Sequence, residues 1–316
     1  MANVLPFERQ VRVVSCLVEG NSIRSTERLL DVHRDTVMKL GVRVGEACTA
    51  LHDRLVRDLH VSFLELDEIW AFVGKKQKRL QEGDDQAEFG DQYAFVGLDA
   101  NRKLIVSYRV GKRDGTTAYA FCSDLRSRVL GRSQITTDGF SPYLDAIGFT
   151  FGTHADYAMV IKEYAGDGRK DSAHRYSPGR VIGVEKRVIS GHPVLERAST
   201  SYVERQNLPI RMQMRRFTRL TNAFSKKLRN HQAAFALHVA YYNFCRVHET
   251  LRVTPAMESR ITDHIWSVAE LLTRAEEAEA EGPSRPMPPG PRIPHRPASS
   301  LGPGRSGLRL IQGGRA

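Results

Sequence analysis

Residues 61–73 read VSFLELDEIWAFV, a run of β-branched, aromatic and other apolar side chains into which Glu65, Asp67 and Glu68 are set. The composition predicts a strand buried in a core. A carboxylate inside such a strand loses its hydration and needs a partner. Asp67, with Leu64, Leu66, Ile69 and Trp70 around it, is the first candidate for an acid kept for chemistry rather than packing. Glu65 shares its face by the period of two, and Glu68 points the other way. The plain alternative for Asp67 is an acid bonded to a neighbouring arginine.

On either side of this run the periodicity changes. Residues 7 to about 57 repeat apolar positions at helical spacing in ERQVRVVSCLVEG, SIRSTERLLDV and RDTVMKLGVRVGEACTAL. The second and third segments, turning at Asp31-Val32-His33, have helix-turn-helix proportions, with His33, Arg34, Thr36 and Lys39 on or near the recognition helix. A plain packing module or dimerisation arm is the other reading. Further strands are expected at 93–99 and 103–110, joined by the turn Asp99-Ala100-Asn101, then a helix over 114–130 and a strand at 133–138. A helix opening at Ser141-Pro142 and a strand at 157–163 follow. Three antiparallel strands followed by alternating helix and strand resemble an RNase H-like mixed sheet with flanking helices, an α/β class preceded here by a helical helix-turn-helix domain. A charged, irregular insertion is expected over 164–200 and helix from Thr200 to about Tyr242. The predicted domains are 1–57, 58–272 and a disordered tail over 273–316, acidic at AEEAEAE and then rich in Pro and Arg.

Lys and Arg total 47 against 36 Asp and Glu, a formal charge of +11 that points to a polyanionic partner. A membrane is the weaker choice. No run of about 18 apolar residues is present to span one, and MANVLPFERQ carries charge where an export signal needs its apolar core. Cys16, Cys48, Cys122 and Cys245 are scattered, with no CxxC pair and no finger-spaced His, which argues against a disulfide framework or a structural zinc site. A reducing compartment, most simply a bacterial-type cytoplasm, follows.

Two more acids stand at element ends. Asp138 closes QITTD before Gly139, where a strand hands over to a turn and where ligands gather in open sheets; a helix-capping Asp is the alternative. Glu204, in STSYVERQN, opens a helix ahead of a basic segment, and its alternative is an ion pair with that segment. Cutting or joining a phosphodiester needs an activated oxygen nucleophile and a stabilised leaving oxygen, which two divalent ions held by carboxylates supply. Asp67, Asp138 and Glu204 are thus the candidate ligands for two Mg²⁺ or Mn²⁺ ions.

Between Arg205 and Val247 lie nine Lys or Arg and no acid, with Phe217, Phe224 and Phe235 interleaved. Arg205, Arg211, Arg215, Arg216, Arg219, Lys226 and Lys227 are candidate contacts to DNA phosphates. Arg211, Arg215, Arg219, Lys226 and Arg229 are expected along one side of a helix, and a solvated face is the plain alternative.

ELDEIWAFVGKK, ITTDGFSPY and TSYVERQNLPIRMQMRRFTRLTNAFSKKL resemble the DDE transposases of bacterial insertion sequences, most closely the branch named after insertion sequence one. YYNFCRVHETLRVTPA is similar to the endings of such proteins, and the resemblance covers about residues 5–272. It implies metal-dependent cleavage of element ends and strand transfer into double-stranded target DNA, a nucleoid-associated cytoplasmic protein, and a homo-oligomer, because two ends must be paired. It also implies a basic residue seven positions after the third acid, here Arg211. Many relatives begin with a cysteine zinc ribbon, which this chain lacks. The competing readings are a related RNase H-like nuclease or recombinase, and a domesticated, catalytically silent DNA-binding regulator.

Overall fold

The computed structural model describes residues 4–164, 181–218 and 222–282. Three helices open the chain: α1 (Phe7–Val18), α2 (Ile23–Leu30) and α3 (Arg34–Leu55). The Ser22 side chain accepts from Ser25 N–H and caps α2. Asp31, left-handed at φ 49°, ends α2 and turns the chain into α3.

Six strands then form one sheet: β1 (Phe63–Val73), β2 (Gly90–Asp99), β3 (Ile105–Gly111), β4 (Ser133–Thr137), β5 (Ala155–Tyr164) and β6 (Val181–Ser190). Their order is β3-β2-β1-β4-β5-β6. β2 pairs antiparallel with both β1 and β3, β4 runs parallel to β1 and β5 parallel to β4, and β6 returns antiparallel along β5. At the β2–β3 turn Asp99 accepts from the backbone N–H of Asn101 and Arg102, so the expected hairpin forms. The expected irregular insertion instead contributes β6, whose residues are nearly all exposed; residues 165–180 lie outside the described segments.

Helices cover both faces of the sheet. α4 (Gly115–Arg128) and α5 (Pro142–Phe151) pack on the face that carries Leu64, Leu66 and Phe95. The opposite face, with Ile69, Ala94, Val96 and Leu98, packs against α6 (Ser201–Gln213) and α7 (Leu228–Ala240). Fully burying one such side chain contributes roughly 1.5–3 kcal/mol. Asn243, in the π-type turn that follows α7, exchanges both backbone hydrogen bonds of Ile105 and so closes the β3 edge. A short helix α8 (Pro255–Glu258) leads to α9 (Val268–Ala280).

Three expectations change here. The N-terminal helices are not a separate body: the described residues form one compact unit. Apolar residues of α1 and α3 share a core cluster with the sheet. Gly45 of α3 meets α7 so closely that an added Cβ would lie 2.1 Å from the Ala233 carbonyl oxygen. Arg128, buried at the end of α4, donates to the carbonyls of His52 and Val56 at the end of α3 and to Asp53 and Asp124. The tail expected from residue 273 is helical as far as Ala280, because Leu271, Leu272, Ala275 and Ala278 face the core; 283–316 lie outside the described residues. The helix expected from Thr200 to Tyr242 is interrupted, since Ser225 is drawn to the end of β1, where its carbonyl accepts from Gly74 N–H at 2.8 Å. Among the described residues, no helix is long and apolar enough to cross a membrane.

Candidate functional site

The parallel ladder between β1 and β4 ends at Leu66 opposite Thr137. The next position on each strand is an acid, Asp67 and Asp138, so the end of β4 sets two carboxylates side by side. Asp138 is fixed by its own turn, its Oδ1 accepting from Phe140 N–H at 2.9 Å. Glu68, on the other face of β1, joins them: carboxylate oxygens of Asp67, Glu68 and Asp138 all lie within 4.8 Å of one another. Period-two reasoning set Glu68 aside because its Cβ points away from that of Asp67. Past the last rung of the ladder, however, no β4 backbone separates the two faces.

Crowding and burial raise Asp67 and Glu68. Asp67 is pushed up to about 8, first by burial and then by the charges of Glu68, Asp138 and Glu204. Glu68 rises to about 7, again chiefly through burial, with Asp138 adding to it and Arg113 opposing it. Arg113, between β3 and α4, supplies the compensating charge. Its Nε lies 3.1 Å from Glu68 Oε2 and its Nη2 3.9 Å from Asp138 Oδ2, and its guanidinium rests 4.1 Å over the Phe140 ring. The Tyr143 hydroxyl faces Glu68 and favours its charged form. Three carboxylates converging in this way form an all-oxygen donor set of the kind a hard divalent cation takes.

Glu204 arrives from α6. That helix is held by Glu65, whose Oε2 accepts from the backbone N–H of Tyr202 and Val203 at 2.8 and 2.9 Å and so caps its first turn. Burial raises Glu65 to about 7, and these two N–H donors oppose the rise. One turn beyond Glu204, Asn207 donates to Asp67 Oδ2 at 2.7 Å. Glu204 itself stands outside the tight trio. Its carboxylate is gripped by Lys162 of β5, with Nζ 2.6 Å from Oε2 and also bonded to Oε1, and by the Thr200 hydroxyl. The three acids expected together therefore share one region, two in direct apposition and the third on a separate ion pair. Arg113, Lys162 and Asn207 were missed, and Glu68, expected only as a competitor to Asp67, stands beside it. Only Asn207 left a signal, lying three residues after Glu204 on the same helix face.

The expected basic face does not form one stripe. Arg211 and Arg215 are exposed at the end of α6 and in the turn after it, Arg205 is exposed on α6, and Lys226 and Lys227 are exposed just before α7. Arg216 is instead a brace, donating to Ser225 Oγ at 2.6 Å. Arg229 pairs with Glu46 of α3. Arg219 lies outside the described residues. Arg34, Thr36 and Lys39 are all exposed in the first turns of α3, while Gly45, Ala47, Cys48, Leu51 and His52 of its second half are buried. Arg34 N–H is bonded to Glu27, which ties the α2–α3 turn. No protein-family model matches the chain, and no curated protein is significantly similar to it.

Proposed function

We propose that this chain is a DNA transposase of the DDE type, cutting element ends and joining them to target DNA with Mg²⁺ or Mn²⁺. The observation that carries the reading is the apposition of Asp67 and Asp138 at the shared end of two parallel strands, with α6 bringing Glu204 to the same region. Asp67, Glu68 and Asp138 are the residues that would hold a cation, and Glu204 would complete the set once Lys162 releases it. Bound there, the ions would activate the attacking oxygen and stabilise the leaving one. The chain's own part is positional. Glu65 anchors the start of α6, Asn207 fixes the Asp67 carboxylate, and Arg113 limits repulsion among the acids. The exposed Arg211 and Arg205 lie on the helix that carries Glu204, where they can meet phosphates. Arg34, Thr36 and Lys39 offer a second DNA contact in a helix-turn-helix arrangement, built on the same core rather than on a hinged domain.

The test is cleavage and strand transfer on a labelled duplex carrying the inverted repeat that flanks the coding region, with Mg²⁺. The intact protein is expected to act. Asp67→Asn, Asp138→Asn and Glu204→Gln should each lose about 10³-fold in rate, equivalent to about 4 kcal/mol, while still binding the DNA. Full activity in one variant removes that residue from the site and, for Asp67, leaves the first-strand role to Glu68 or Glu65. Tight binding without any cleavage by the intact protein supports the silent regulator instead.

A further inference from the structure

We propose that the loop between β1 and β2, together with the segment that crosses the end of β1, forms a cleft for the phosphodiester backbone of DNA, remote from the acids. The proposal rests on the DNA reading above and names a surface for it. The cleft has a volume of about 810 Å³ and is floored by Phe72 and Phe224, whose rings stack at 4.7 Å. Lys76, Lys78 and Arg79 stand exposed along it.

Two features distinguish it from an ordinary solvated loop. Two acids of the loop are bound within it, while Glu82 stands exposed. Asp84 is taken by Lys75 and by Gln81 N–H, and Asp85 by the backbone N–H of Ala87 and Glu88. Lys76, Lys78 and Arg79 form no ion pair among the described residues; the Lys76 ammonium lies 6.0 Å over the Phe72 ring. The platform is also fixed. Gly74 N–H bonds the Ser225 carbonyl and Gln77 Oε1 accepts from Asp91 N–H at 3.0 Å, so less ordering is lost when a ligand binds. Unpaired cations on a rigid apolar floor fit a chain of phosphates carrying sugars and bases. Six residues separate Asp67 from Val73, about 20 Å along a strand. That distance equals about six nucleotide steps at roughly 3.4 Å each. The cleft therefore suits DNA flanking the cut rather than the cut itself.

The experiment measures binding of a labelled duplex several helical turns long to the full chain carrying Asp67→Asn, so that no cleavage intervenes, between about 50 and 200 mM salt. It compares this protein with one that also carries Lys76→Gln, Lys78→Gln and Arg79→Gln. Three lost phosphate contacts should reduce the salt slope by about 3 and the affinity near 100 mM salt on the order of 100-fold. Thermal denaturation should be unchanged, because these side chains hold nothing in place. An unchanged slope and affinity overturns the cleft and leaves the transposase reading intact. Absence of binding before the three changes are made overturns both.

Discussion

Strand β1 and the loop that follows it carry charge of opposite sign, and the two are built differently. At the middle of the strand, Glu65, Asp67 and Glu68 are withdrawn from water and raised to about 7, 8 and 7. In the loop, Lys76, Lys78 and Arg79 stand in solvent. The buried acids cost stability unless something neutralises them, whereas the exposed cations cost almost nothing and are screened by salt. A chain keeps the first kind where a ligand or a helix end needs charge at a fixed point. The second kind serves a ligand that is met in many registers. The comparison can be broken wherever a buried acid is neutralised without consequence, and sharpened wherever its cost can be measured.

The largest effect is expected at Asp67. A carboxyl whose folded pKa lies above its unfolded value near 4 holds a proton that the unfolded chain releases, so stability falls as pH rises towards the folded pKa. His52, His231 and His238, buried and lowered to about 3, 3 and 4, act in the opposite direction, but only up to the unfolded histidine value near 6.5. Between about pH 6.5 and 8 the carboxyl centre is therefore left to dominate. In that window metal-free protein should lose thermal stability with rising pH. Asp67→Asn should raise the melting temperature on the order of 5 °C at pH 8, and Mn²⁺ should stabilise the intact protein but not the variant. A melting temperature that rises between pH 6.5 and 8 without metal would mean that the acids are already neutralised by the protein alone.

Glu65 tests whether burial alone marks a functional acid. It is as apolar in its surroundings as Asp67, yet both its bonds go to the start of α6. Glu65→Ala should destabilise the fold by about 1–3 kcal/mol through two orphaned N–H groups, and activity should fall with the displacement of Glu204. Glu65→Gln, which keeps one acceptor, should recover most of both. A charge-dependent loss in Glu65→Gln with unchanged stability would move Glu65 from helix anchor to cation ligand.

Several of these roles were open to reading and others were not. Asp67 was legible because an acid in LELDEIW conflicts with its neighbours, and Asp138 because a strand ending in Asp-Gly must present that acid at an edge. The succession of helices and strands up to Tyr164 followed from the switch between periods of 3.6 and two. Glu68 was legible only as a competitor to Asp67, since its place beside it depends on where β4 stops, a fact held seventy positions away. Arg113 and Lys162 are single cations among 47, and nothing local marks them. The union of the N-terminal helices with α7 and α9 was hidden for a similar reason. An amphipathic helix declares that it has a buried face but not what covers it, and Gly45 reads as a weak helix residue until Ala233 is seen against it.

The smallest stability effect, and the most informative one, belongs to Lys162. Its side chain is 25% exposed and that of Glu204 is 40% exposed, so the pair is worth no more than about 1 kcal/mol to the fold. Lys162→Gln should therefore leave the melting temperature nearly unchanged. Its effect should appear in Mn²⁺ affinity, read by calorimetric titration. With Lys162 in place, Glu204 is already neutralised and Asp67, Glu68 and Asp138 meet the cation without it. With Gln there, a fourth carboxylate is released within range of the same ion, and binding should tighten on the order of threefold to tenfold. Unchanged affinity would mean that Glu204 stays apart when the site fills, so that the acid trio around Asp67, not the expected triad, is the whole of the cation site.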